Sequence, residues 1–274
     1  MFPEVQLPIA EGINAGLNWL TTNLSAVTEA ASVVLENGIN GLAALLLFVP
    51  PVIFMVAAAV IVAVLADMRL AVFTLVGFFI IWGMQLWAPM MSTISLILLS
   101  TLIAVAIGVP LGIVGGLSDR FHAFITPILD FMQTMPAFVY LIPAIPFFGL
   151  GPVAALFATV IFSVPPSIRL TALGIRQIDP ELVEASNAFG STTTQKLFQI
   201  QLPLATPTIM AGVNQTIMLA LSMVVIAAMI GAGGLGGEVW RAIQRLEPGN
   251  GFEAGIAVVI VAMLFDRISK RIVH

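Results

Sequence analysis

The sequence predicts an all-α, polytopic membrane protein with about seven transmembrane helices, and three observations carry that reading. Of the 274 residues, 59% are hydrophobic and 9% are charged, with a mean hydropathy of +1.09, whereas a soluble domain has about a quarter of its residues charged. Fourteen acids and ten bases cannot cover a globule of this length, so the apolar excess must face lipid. Seven apolar stretches approach the roughly 20 residues that a helix needs to cross the hydrocarbon. The basic residues, finally, concentrate in alternate connecting segments.

In chain order, residues 1–40 repeat apolar positions at helical spacing (Ile13, Leu17, Leu20, Leu24, Val27) with polar residues between them. That pattern predicts an amphipathic helix on the outer membrane face; the alternative is a tail without fixed structure. No basic region followed by a short apolar core opens the chain, so no cleavable signal peptide is expected. Residues 41–274 form the membrane domain, with spans expected at 42–66, 70–88, 90–117, 134–149, 151–172, 205–231 and 252–268. The fourth, "PAFVYLIPAIPFFGLGP", is short and rich in Pro and Gly, which suits a kinked, broken or partly re-entrant segment surrounded by protein.

Seven crossings put Arg69, Arg120, Arg169, Arg176, Lys196, Arg267, Lys270 and Arg271 on one side, against Arg241 and Arg245 on the other. Positive charge marks the cytoplasm, which predicts an amino terminus outside and a carboxyl terminus inside. The first 68 residues contain neither Lys nor Arg, and Glu4, Glu11, Glu29 and Glu36 lie there, in keeping with an outward placement.

Several functions are disfavoured by what the chain lacks. There is no cysteine, which excludes disulfides and thiolate metal sites, and only His122 and His274 remain as imidazole ligands, too few to favour a zinc or iron centre. Residues 231–236, "GAGGLG", fit a dinucleotide fingerprint, but they follow a long apolar helix with no strand before them and no Walker lysine occurs. They read as a turn or hinge at the outer mouth. No Asp, Glu, Lys or His falls in the middle of a span, whereas ion-coupled carriers commonly bury one there. A secondary carrier, a channel without a selectivity motif, and a membrane enzyme without a catalytic cluster are thus the weaker classes.

Between the fifth and sixth spans stands "RQIDPELVEASNAFGSTTTQKLFQIQLPLATP". Asp179 can cap a helix, Pro180 fits its first turn, and Glu181 and Glu184 place negative charge near the positive end of the dipole. Gly190 can take the left-handed conformation that ends this helix. Thr192 with Gln195 forms a capping box for the next one, which Pro203 is expected to stop. The product is a hairpin at 179–203 with Ala185, Ala188, Leu197, Phe198 and Ile200 available to pack or dock. A plain surface connector between spans has the same pattern.

The residue identities separate the two. Glu184, Ala185 and Ser186, then Gly190, then Ile200, Leu202 and Pro203 resemble the EAA signature of permease subunits of ATP-binding-cassette importers: E-A-A, three residues, G, nine residues, I-x-L-P, with Ser186 in place of the second alanine. The stretches "MQTMPAFVYLIPAIPFFGLGP", "VPPSIRLTALGIRQIDPELVEASNAFG" and "LPLATPTIMAGVNQTIMLALSMVVIAAMIGAGGLGGEV" widen the likeness over most of residues 90–270 to the glycine betaine/proline permeases of osmoprotectant uptake. The resemblance implies a type I importer (MetI-like) permease fold. It also implies a homodimer of permease subunits, two cytoplasmic ATPase subunits that carry ATP and Mg, and an extracytoplasmic solute-binding protein. No cofactor would sit on this chain and no nucleic acid would bind it. The location implied is the bacterial cell (inner) membrane, with the hairpin as the coupling helix.

Candidates for a solute path are weaker. Asn214, Met218, Ser222 and Met229 lie near one helical face of the sixth span, where polar groups line an interior or join helices. For a quaternary ammonium solute, Tyr140, Phe147, Phe148 and Phe162 offer cation–π faces, or pack as ordinary aromatics. Trp240, Arg241 and Arg245 belong to an outer loop and either meet the delivering protein or are an interfacial Trp with solvated arginines.

Overall fold

The computed structural model describes residues 9–272, so Glu4 and His274 lie outside the described residues. Among these, every regular element is helical: α1 (Ile9–Phe48), α2 (Pro51–Leu65), α3 (Met68–Gly83), α4 (Trp87–Leu117), α5 (Asp119–Thr134), α6 (Leu141–Phe148), α7 (Pro152–Arg176), α8 (Pro180–Ala188), α9 (Thr193–Lys196), α10 (Leu202–Ala228), α11 (Gly234–Arg245) and α12 (Pro248–Ile272). A 3-10 turn, Ala137–Tyr140, precedes α6, and a π-helical turn, Leu197–Gln201, joins α9 to α10.

Among the described residues, four helices have the length and composition to cross a membrane: Ala10–Phe48, Trp87–Leu117, Pro152–Arg176 and Thr193–Ala228. The pair Asp119–Thr134 and Ala137–Phe148, bent by 111°, makes a fifth when taken as one broken span. The bend falls at Pro136, at the start of the fourth span expected at 134–149, which is itself the short 3-10 turn and α6 with Pro146 inside, while residues 119–134, expected as a connecting segment, form the helix α5 before it. The expected span 42–66 is not one helix. Residues 42–48 close the 40-residue α1, and the Pro50–Pro51 pair interrupts the ladder because proline supplies no N–H. With α2 and α3 at 15 and 16 residues, the count of seven full-length spans is not what the structure shows.

Likewise the boundary drawn at residue 40 falls inside α1, whose last third enters the bundle. Ser95 Oγ donates to the Ile39 carbonyl at 2.7 Å, and Gly38 lies against Leu99.

At the centre is α7, mostly buried, with α4 and α10 packed along it. The α4–α7 seam is close because α4 presents glycine. A Cβ at Gly108 would stand 2.6 Å from Ser167 Cβ, and one at Gly112 would stand 2.5 Å from Thr171 Cβ. Small residues at such a seam let backbones approach where lipid supplies no hydrophobic drive between helices.

Two ends of the bundle are defined by contacts. At one, Arg176 pairs with Asp119, Arg169 with Asp130 and Arg271 with Asp67, gathering the 66–67 turn, α5, the Arg176 end of α7 and the end of α12. At the other, Gly151 N–H donates to the Ile230 carbonyl at 2.7 Å and Leu235 N–H to Thr93 Oγ1 at 2.8 Å. The "GAGGLG" stretch lies at this second end as a turn. Gly231, Gly233 and Gly234 have φ of 92°, 71° and 64°, and no strand precedes them.

Candidate functional site

At the base-rich end, α8 and α9 form the elbow. Asp179 caps α8 by accepting from Glu181 N–H at 2.9 Å, with Pro180 in the first turn. Gly190 has φ 77°, in the left-handed region that side chains disfavour, and its N–H reaches the Asn187 carbonyl at 3.0 Å. The capping box is complete: Gln195 N–H donates to Thr192 Oγ1 at 3.3 Å, and Thr192 N–H to Gln195 Oε1 at 2.9 Å. Lys196 Nζ donates to Asn187 Oδ1 at 3.1 Å across the bend, which ties one arm to the other.

Pro203 does not stop the second arm. Helix runs without interruption from Thr193 to Ala228, and Pro203 sits in the first turn of α10. The missing proline N–H is absorbed where the ladder widens: Leu202 N–H bonds the Leu197 carbonyl, an i to i−5 bond. The elbow is thereby continuous with the membrane helix.

Of the signature residues, Glu184, Ala185 and Gly190 are exposed, Ile200 and Leu202 are half-buried, Pro203 is exposed and Ser186 is buried. Ser186 Oγ and Gln201 Oε1 are buried without a hydrogen-bond partner among the described residues. Ala185, Ala188 and Phe198 face outward while Leu197 is half-buried. Phe189, outside the residues that the sequence pattern singles out, is 91% exposed at the tip of the bend. An aromatic residue directly before a left-handed glycine was the available signal, since the turn lifts it away from the core.

The path candidates are not brought together. Asn214 Oδ1 accepts from Ser269 Oγ and so joins α10 to α12. Met218 packs partly into the α2–α3–α4–α12 core, and Ser222 bonds its own helix at the Met218 carbonyl, 2.9 Å. Met229 is exposed. Tyr140 is buried on the other side of α10, its hydroxyl donating to the Met132 carbonyl and its ring 5.6 Å from Phe162. Phe147 neighbours Phe148, whose ring packs at a tilt on Phe157 with centroids 4.9 Å apart. Packing thus occupies most of these aromatic faces. At the opposite end, Arg241 pairs with Glu238 at 2.6 Å and, with Arg245, lines a polar cavity beside Gln85 and Glu253.

The elbow is thus exposed at the base-rich end of an all-helical chain and continuous with its membrane helix α10. The chain belongs to the family of binding-protein-dependent transport system inner membrane components, whose model matches residues 108–273. It is 48% identical to the glycine betaine transport system permease protein OpuAB of Bacillus subtilis, over 97% of this chain and 95% of that protein. It is 43% identical to the glycine betaine/proline betaine transport system permease protein ProW of Escherichia coli, over 99% of this chain and 77% of that protein. Among solved structures, an inward-facing MetNI methionine ABC transporter chain superposes with a TM-score of 0.61 at 22% identity, covering 66% of this chain and 91% of that one. The fold is thus the MetI-like permease fold, and the chain is the membrane permease of an ABC importer.

Proposed function

We propose that this permease imports glycine betaine, proline betaine or a related quaternary ammonium compatible solute, as a homodimer carrying two cytoplasmic ATPase subunits and served by an extracytoplasmic binding protein. The observation that carries the solute class is the near full-length likeness to OpuAB and ProW. ATP and Mg belong to the ATPase subunits. The elbow docks on them through Glu184, Ala185 and the exposed Phe189 and Phe198. Because the second arm is continuous with α10, closure of the ATPase pair displaces α10 directly, and α10 in turn pushes on α7. Exchange of inward for outward access follows from that push. Asn214, Met218, Ser222, Tyr140 and Phe147 remain the residues to test along the path.

The base-rich end is cytoplasmic by the positive-inside rule. This reading puts the carboxyl terminus inside and the base-free amino-terminal segment outside, in the bacterial cell (inner) membrane.

The test is reconstitution of the permease with its ATPase and binding protein in proteoliposomes. Glycine betaine or a close methylated amine stimulates ATP hydrolysis and is taken up only with the ATPase present. Stimulation by a sulfonate alone would reassign the solute, and uptake without the ATPase would reassign the mechanism to a carrier or channel.

A further inference from the structure

A cavity of about 280 Å³ opens where α3 begins and α12 ends, lined by Asp67, Arg69, Leu70, Arg267, Lys270 and Arg271. Its single lining carboxylate is already engaged. Asp67 Oδ1 accepts from Leu70 N–H at 2.8 Å, capping α3, and Oδ2 accepts from Arg271 at 3.1 Å. Lys270 is held by Asp266 at 2.8 Å, and the Arg267 guanidinium lies 5.6 Å from the centre of the Phe73 ring. Arg69 has no acidic partner among the described residues. It also stands in the first turn of α3, at the positive end of the helix dipole, where a base is unfavourable. Four cations converge here, one of them against the dipole, and a bound anion stabilises such an arrangement.

A second feature identifies the anion. An apolar groove of about 280 Å³ runs along the outside of the α2–α3 hairpin, between Val56, Val60 and Ala63 on α2 and Met68, Val72 and Leu75 on α3. Met68 directly precedes Arg69, and Val72 follows Arg69 by one turn on the same side of the helix, so Arg69, which lines the cavity, stands beside the residues that line the groove. Free phosphate would use the cavity and leave the groove empty. A phospholipid uses both. We infer that this juncture binds an anionic phospholipid, its phosphate among Arg69, Arg267 and Lys270 and one acyl chain along the α2–α3 groove.

The full chain, purified in neutral detergent with the subunits that assemble on it, is titrated with phosphatidylglycerol or phosphatidylcholine, and bound lipid is counted by native mass spectrometry. Phosphatidylglycerol binds at least about twenty-five-fold more tightly, and each base removed in Arg69→Gln and Arg267→Gln costs about fivefold of that preference. Arg69→Lys retains it, which separates charge from misfolding. Val72→Trp, at an exposed position that fills the groove, weakens phosphatidylglycerol binding while leaving the basic cavity intact. Equal affinity for the two lipids, or a preference that survives both glutamine substitutions, overturns the inference. So does displacement of phosphatidylglycerol by millimolar inorganic phosphate together with indifference to Val72→Trp, which would mark a free-anion site.

Discussion

Gly190 shows how much of the elbow depends on single residues. Its φ of 77° costs a side-chain-bearing residue on the order of 1–2 kcal/mol, yet a Cβ there meets nothing within 4 Å. Substitution therefore strains the backbone without a clash, and Gly190→Asp adds a charge at the tip besides. The expected result is a protein that inserts and assembles its spans but hydrolyses ATP without uptake; transport at the native rate would refute the lever. Phe189 is the complementary case. At 91% exposure it contributes little to the fold, so Phe189→Ala leaves thermal stability unchanged. As a buried aromatic anchor in the docked state it is worth about 2 kcal/mol, roughly thirtyfold in ATPase association measured by titration.

At the scale of elements, the π turn and the α4–α7 seam each translate one residue type into geometry. Pro203 leaves the Gln199 carbonyl without its usual donor, and the ladder widens to five residues at Leu197–Leu202. Pro203→Ala restores the donor and allows an α turn there. That change rotates the elbow about the α10 axis, so ATP-driven uptake falls while protein yield holds. The seam is the reverse, a place where adding atoms is costly. In Gly112→Ala the new Cβ would lie 2.5 Å from Thr171 Cβ and 2.7 Å from the Ile168 carbonyl, both deep in the bundle. Overpacking of that kind costs about 1–3 kcal/mol. It is measured as a lower melting temperature in detergent, with no comparable loss for Gly255→Ala, where a Cβ meets nothing.

For the whole molecule, the two ends make opposite predictions, and the absence of cysteine allows a clean test of them. A single Ser191→Cys at the elbow is protected from a membrane-impermeant thiol reagent in intact cells, whereas Asn250→Cys at the opposite end is labelled. Ser25→Cys reports where the amino-terminal half of α1 lies, and labelling from outside is expected. The reverse pattern at Ser191 and Asn250 would turn the bundle over and detach the elbow from any cytoplasmic ATPase.

The class, the elbow and the grouping of loops at two ends were legible in the sequence because composition, caps and charge are local properties. Asp179, Thr192 and Gln195 bond partners within three residues, so their roles needed no knowledge of the rest of the chain. The extent of the helices was less legible. Pro203 reads as a stop and is a first-turn residue, because neighbouring turns can re-satisfy the backbone that proline leaves unpaired. Pro50 and Pro51 do interrupt a helix, although hydropathy runs on across them. Only the tertiary structure decided which polar and aromatic groups share a site: it sent Asn214 to Ser269 and Tyr140 to Met132, two different sides of α10. It also brought Arg69 to the bases of α12, some two hundred residues away. Helical periodicity assigns a side chain to a face, but the neighbour that fills that face is set by packing between segments distant in the chain, which no local pattern encodes.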